Sequence, residues 1–574
     1  MTQAPVVLVL LPLVAALCAL IEKALPRVRI ARVSALLGIL AGVAVTLLVF
    51  PLVRSGVYPT LVVGGFDSVV GISLTLDGVG WIGSVIVLVI CLSGLLYVLS
   101  EEQYDALFYF FYMMMVSGME GAILTRDLFN LFVFLEIFGI AAYVLVAYSR
   151  AGYALLAGYK YLVMSSLAMS LFLLGVLLIY RSTGTLSLDR LAEVMKGAAD
   201  TNPARPSSPP VPGVAFLLLI VGIGTRTAFV PYHTWLPEAH ASAPHPVSAV
   251  LSGVMIKVAF IALFRLLTAA GDPHLARLFL WIGAATALFG VGAALAQIDM
   301  KRLLAFHSVS QMGYILAALG AATLFSGLSG STASTGGAAA SFLHATSHAL
   351  FKSLLFLTIG LVITHAGART VTAVHGMGSV LPLVLVAFSV GALAIAGVPP
   401  MNGFVSKKLV MYSVKTMPVV YRVLWIAGIG TVASFLKLSA VFRKAHSTPG
   451  VGVTRIAPGD TGPELRPRIG LLKSAAIMLP ALLCVVMGLF PGPLYRTVSG
   501  MVGATVTAGL ANVYTVSALL DTAVVVALGA LLYAGVRTRT GYRVAAVLRS
   551  PRIGFNAALS LMLAGFLLFA AYLM

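Results

Sequence analysis

Apolar runs of roughly 17–25 residues, the length an α-helix needs to cross a bilayer, recur along this chain from one end to the other. They fall near 5–22, 33–53, 81–99, 105–123, 128–148, 158–180, 212–236, 246–268, 275–296, 303–325, 338–363, 378–415, 420–443, 470–493, 513–536 and 553–573. About 16 such runs predict an all-α polytopic membrane protein, because only segments that satisfy their own backbone hydrogen bonds can span hydrocarbon. Composition agrees: 60% of the 574 residues are hydrophobic and 10% charged. A net charge of +19 would point to nucleic acid in a soluble protein. Here the basic residues lie mostly between apolar runs, where the positive-inside rule accounts for them.

That rule also orients the chain. Alternate connections hold Lys23, Arg27, Arg29 and Arg32; Arg150 and Lys160; Lys301 and Arg302; Arg369; Arg443 through Lys473; and Arg537 through Arg552. This set carries about 20 Lys and Arg against about 10 in the other, so it is expected to face the cytoplasm, with both termini outside an inner (plasma) membrane. The first run, Val6 to Ile21, has Pro12, no basic start and no small-residue cleavage site, and reads as a retained helix rather than a signal peptide. Cys18, Cys91 and Cys484 each lie inside an apolar run, far apart in sequence, which points away from a metal cluster or a disulfide framework. The polar pieces 54–80, 181–211 (ending in NPARPSSPPVP) and 445–469 are too small to be catalytic domains and read as caps and linkers.

Two runs are broken, one around Pro231 to Pro237 and one at GVPPMNG, residues 397–403. Proline removes a helix donor and glycine permits unwinding, and freed backbone groups survive at membrane depth only where protein or water meets them. Each break falls in the fourth member of a group of five runs, 4–8 and 9–13, which is the pattern of two inverted repeats with a site at mid-membrane. The expected division is helices 1–3 in residues 1–104, a first repeat in 105–268, a second in 275–443, and helices 14–16 in 470–574.

A cation in the centre of hydrocarbon costs roughly 3 kcal/mol or more, so an ionisable residue there is a functional candidate. Glu136, Arg226 and Lys257 are the candidates in the first group; His307, His344, His348, Lys352, Lys407 and Lys437 are those in the second. Glu136 needs a cation, and Arg226 or Lys257 is its natural partner. Lys257, Lys352 and Lys407 can store and release protons, and the spacing of His344, His348 and Lys352 puts three titratable groups on one helical stripe. His233, His240 and His245 follow the first break as access-path candidates. Blander readings stand beside these: a structural ion pair for Glu136 and Arg226, snorkelling lysines, ordinary loop histidines, and a metal or haem site at His344 and His348.

The segments TRDLFNLFVFLEIFGIAAYVLVAY, VPYHTWLPEAHASAPHPVSAVLSGVMIKVAF, DMKRLLAFHSVSQMGY, FLHATSHALFKSLLFL and VPPMNGFVSKK carry a resemblance over roughly residues 60–445. The chain resembles the antiporter-like membrane subunits shared by respiratory complex I, Mrp-type cation/proton antiporters and energy-converting hydrogenases. By that resemblance Glu136 is the glutamate of the fifth helix, Lys257 the lysine of the eighth, and Lys407 the terminal lysine of the twelfth. His344, His348 and Lys352 match the central relay of the eleventh, and Asp77 an acidic residue at the start of the third. Two departures stand out. Arg226 occupies the place, seven residues before His233, where the family usually has lysine, and arginine cannot pass on a proton. Only about 16 residues separate the last two runs, too few for a long lateral helix.

The resemblance implies a proton or sodium/proton translocating subunit of a multisubunit membrane pump of Mrp or hydrogenase type, with a complex I proton-pumping subunit as the alternative. With no cofactor motif in the chain, redox chemistry would belong to partner subunits. A haem- or quinone-binding subunit is the rival of another class, and an anchor without transport is a third reading.

Overall fold

The computed structural model describes residues 2–65, 71–198, 213–325, 332–444, 469–503, 513–538, 543 and 555–573. The NPARPSSPPVP linker and nearly all of the 445–469 connection lie outside the described residues. Helices α1 (Ala4–Ala24) and α2 (Ala31–Arg54) lead to a short hairpin, β1 (Thr60–Val62) antiparallel to β2 (Ser73–Thr75) with Thr60 opposite Thr75. Next come α3 (Gly78–Leu99), α4 (Ala106–Leu124), α5 (Leu128–Val146) and α6 (Gly152–Thr183). The acids between these apolar runs start the helices. Asp77, Asp105 and Asp127 each accept a hydrogen bond from a backbone N–H in the first turn, at 2.7, 3.1 and 2.7 Å.

α7 (Leu188–Ala198) is a short helix inside the stretch expected to be a linker. The first break follows. α8 (Gly213–Thr227) stops before Pro231, with Ala228 at φ +56°, and the chain resumes as α9 (Leu236–Ser242). α10 (His245–Val250), a π-helical turn (Leu251–Met255) and α11 (Ile256–Ala270) then form one rod.

α12 (Pro273–Ala296), α13 (Met300–Phe325) and α14 (Thr332–Ala366) lead through α15 (Met377–Val380) to the second break, between α16 (Pro382–Ala396) and α17 (Asn402–Ser413). Gly397 ends α16 at φ +75°, a conformation side chains resist. After α18 (Pro418–Leu438) the described chain holds α19 (Leu471–Leu489), α20 (Pro491–Met501), α21 (Val516–Val536) and α22 (Phe555–Leu573).

Among the described residues, 13 helices are long and apolar enough to cross a membrane, and three of the expected runs hold shorter apolar helices, Gly213–Thr227, Pro382–Ala396 and Asn556–Ala571. The fold is all-α and polytopic, and two of the three shortfalls are the broken runs. Burial identifies the centre: the most apolar stretch of α13 is 100% buried, against 11% for α21.

The stretches expected to be runs 4–8 and 9–13 share a backbone device. Before α5, Asp127 bridges to Ser187, with Leu128 N–H donating to Leu186 O and Leu188 N–H to Arg126 O. Before α13, Asp299 bridges to Thr370, with Met300 N–H donating to Arg369 O and Val371 N–H to Ile298 O. In each group the start of the second helix is thus pinned to the loop after the third.

Candidate functional site

Arg226 lies in the last turn of α8 and is 1% exposed. Its Nη2 donates to Glu136 Oε1 on α5 at 2.7 Å, and its guanidinium lies over the Phe138 and Tyr143 rings. Gly139 makes this possible, since a Cβ there would come within 2.3 Å of Arg226 Nη1. Arg226 rather than Lys257 is therefore the cation for Glu136. Glu136 itself is not sealed, for a quarter of its side chain is exposed (25%). Tyr161 continues the line inward: it packs on Tyr143, stacks on Trp235 with centroids 3.9 Å apart, and donates to Met255 Sδ in the π-helical turn.

Lys257 follows that turn directly, and its Nζ donates to Ser252 O at 2.5 Å. From Ser252, whose carbonyl receives Lys257 and whose hydroxyl carries the next contact, hydrogen bonds lead to the next lysine. Ser252 Oγ meets Ser308 Oγ at 2.6 Å, Ser308 Oγ donates to Leu304 O, and Lys352 Nζ donates to the same Leu304 carbonyl. Lys257 and Lys352 each lie within reach of the other's charge or of a shared neighbour, His240, whose ring stacks on Phe356 beside Lys352.

His348, one turn before Lys352 on α14, lies within electrostatic reach of Lys257, Lys352 and Lys407. His344 is stacked 6.4 Å from His348, and its Nδ1 pairs with Ser406 Oγ at 3.0 Å. The next residue, Lys407, sends its Nζ to Ile395 O at 2.6 Å, a carbonyl left free by the break after α16. Lys257, Lys352 and Lys407 are all buried, and none makes a salt bridge among the described residues. The ring nitrogens of His240, His307 and His348 have no direct hydrogen-bond partner there either. Buried polar atoms of this kind are ordinarily met by water.

The structure thus brings together Lys257, Lys352, Lys407, His240, His344 and His348, with His307 between the charges of Lys352 and Lys407. It places the other candidates elsewhere. Lys437 caps the end of α12, donating to Leu295 O and Gln297 O at 2.9 and 2.6 Å. His233 packs on Phe289 and Phe306. His245 opens α10 near Lys301 and Arg369.

Asp77 forms a junction rather than a link in this line, pairing with Arg126 at 2.6 Å and Arg265 at 2.8 Å. Burial opposes its ionisation, yet the Arg265 and Arg126 guanidiniums and the Gly80 N–H hold its carboxyl below the usual carboxylate range.

Sequence reasoning misses several residues. Lys301 is buried and donates to Ala243 O at 2.6 Å, and Arg369 donates to Ala241 O at 2.7 Å, so both clamp the end of α9. Charge distribution alone marks Lys301 only as an orientation-setting loop residue. Glu120, fully buried on α4, accepts from Ser84 Oγ at 2.6 Å. It stands in an apolar run just as Glu136 does, and that signal is visible in the sequence.

Residues 125–436 match the family described as NADH:quinone oxidoreductase/Mrp antiporter, TM. The chain belongs to that family. This antiporter-like protein is 34% identical to the NADH-quinone oxidoreductase subunit N of Desulforudis audaxviator, over 85% of this chain and 95% of that one. It is 32% identical to a Na(+)/H(+) antiporter subunit of Alkalihalophilus pseudofirmus over 56% of its own length, and it spans 62% of that relative. Its fold is similar to that of a chain in the structure of the Mrp complex from Dietzia sp. DQ12-45-1b, with a TM-score of 0.75 and 25% identity over 90% of this chain and 100% of that one. The role carried by membership is that of an ion-translocating membrane subunit.

Proposed function

We propose that this chain moves protons, alone or against sodium, along Lys257, Lys352 and Lys407 as one subunit of a multisubunit pump. The observation that carries the reading is that each of these buried lysines donates to a main-chain carbonyl and not to a carboxylate. A carbonyl does not pin a lysine in its charged form as a carboxylate does, so each can release and regain a proton. The serine pair joins the first two lysines, and His348, His344 and Ser406 join the second to the third. Glu136 and Arg226 form the end nearer the protein edge. Because Arg226 stays charged, it acts through its pairing with Glu136 and not as a carrier.

The similarity to a subunit of the Mrp complex supports partners in the form of other membrane subunits. The matching loop bridges before α5 and α13 support the two-repeat division at 105–268 and 275–443. The distribution of Lys and Arg supports an orientation with both termini outside.

In vesicles holding the assembled complex, Lys257→Ala is expected to abolish proton movement while the complex still forms. Wild-type movement would instead mark the chain as an anchor. The rival redox reading puts a haem or quinone at His344 and His348, and a Soret band from the purified chain would favour it.

A further inference from the structure

The relay ends at Lys407, and the helix facing that end lies beyond the family match, which stops at residue 436. α21 runs beside α18 in the same direction. Trp425 meets Asp521, Gly428 meets Val525, and Val432 meets Gly529. The starts of α18 and α21 therefore share one end of the bundle. Asp521 is the sixth residue of α21, so at 1.5 Å per residue it lies only about 8 Å from the helix start.

Most of α21 is turned outward, and this carboxylate, 35% exposed, pairs back onto α17 and α18. Lys408 Nζ donates to its Oδ2, and Trp425 Nε1 donates to its Oδ1 at 2.8 Å. Between it and the relay is a cavity of about 50 Å³ whose lining includes Tyr314, Gly397, Lys407, Lys408, Trp425 and Asp521. A water needs roughly 10–15 Å³ of such space, so the cavity has room for a few beside the polar groups of Lys407, Lys408 and Asp521. Lys407, its ammonium over the Tyr314 ring, and Asp521 both line it.

We propose that Asp521 is the terminal proton acceptor of the relay, supplied by a helix outside the part of the chain that matches the family. The proposal rests on the relay reading above. A proton leaves the Lys407 ammonium, crosses the cavity through water and forms an O–H bond on Asp521. Lys407 is then neutral, Asp521 is neutral, and Lys408 has lost its ionic partner. Breaking that O–H releases the proton to water at the mouth, and the carboxylate pairs again with Lys408. The Lys408–Asp521 pair thus opens and closes once per proton.

The test uses the whole complex, purified with its partner subunits and reconstituted into liposomes, with proton uptake driven by a valinomycin-imposed potassium potential. Asp521→Asn keeps the acceptor atom for Trp425 but cannot take a proton. It is expected to slow uptake by about a hundredfold or more at unchanged complex yield, the lower end of what general acid–base groups supply. Asp521→Glu is expected to restore most of it.

Trp425→Phe removes an anchoring bond and keeps both the carboxylate and its Lys408 partner, so it is expected to retain most uptake, and together with Asp521→Glu it decides the matter should Asp521→Asn not assemble. Wild-type uptake in Asp521→Asn, or equal losses in Asp521→Asn and Trp425→Phe, overturns the proposal by making Asp521 an anchor for α21. Lys257→Ala measured alongside separates the two claims. If it is inactive while Asp521→Asn is normal, the acceptor role alone fails; if it is normal, the relay itself fails.

Discussion

At the scale of single residues, the Glu136–Arg226 pair shows how exposure decides what a broken ion pair costs. Glu136→Gln leaves a guanidinium that is 1% exposed without its carboxylate, whereas Arg226→Gln leaves a carboxylate that is 25% exposed. The first change is therefore expected to destabilise by roughly 3 kcal/mol and the second by clearly less, as read from thermal unfolding in detergent. Equal losses would contradict the asymmetry. Arg226→Lys is expected to keep most transport, since it preserves the pair.

The Asp77 junction gives a pH dependence. Its carboxyl is held below the usual range when folded, so its contribution to stability is complete above the unfolded-state value and is lost as pH falls through the folded one. The stability gap between wild type and Asp77→Asn should thus stay constant around neutrality and close under acid. A gap that widened on acidification would refute the assignment of Asp77 to the Arg126 and Arg265 pairs.

At the scale of elements, the two breaks are where sequence and structure can be compared most closely. Glycines and prolines at 397–403 mark the second break where it occurs, between α16 and α17. The first break comes earlier than its prolines suggest, because α8 already ends at Thr227 and the left-handed Ala228 has no sequence signal of its own. The π-helical turn before Lys257 is also invisible in the sequence, since one extra residue in a fully apolar helix leaves the pattern unchanged. Glu136, Lys257, Lys352 and Lys407 stand out because charges are rare in apolar runs. Ser252 and Ser308 do not, because serine is common in membrane helices and only three-dimensional pairing distinguishes these two.

The geometry of the second break also makes a prediction. Gly403 packs so close to α16 that a Cβ would fall 1.8 Å from Ala394 O. Gly403→Ala must therefore push α17 away from the carbonyl that receives Lys407. A loss of roughly 1–3 kcal/mol in stability is expected, together with a marked loss of proton uptake. Unaltered uptake would show that the Lys407–Ile395 bond is dispensable.

For the whole molecule, the arrangement is one of buried lysines received by main-chain carbonyls. The π-helical turn presents Ser252 O, the end of α16 presents Ile395 O, and α13 presents Leu304 O to Lys352 at the centre. Helices beyond the family match then add Asp521 at one end. The central claim is that these lysines carry protons and are not fixed charges holding helices together.

Lys352→Arg tests that claim most directly, because arginine keeps the charge and the hydrogen-bonding capacity but does not give up its proton. In reconstituted vesicles the account predicts that Lys352→Arg assembles as wild type and takes up protons no faster than Lys352→Met. Wild-type uptake by Lys352→Arg would show that the site needs only a positive charge, and would contradict the account.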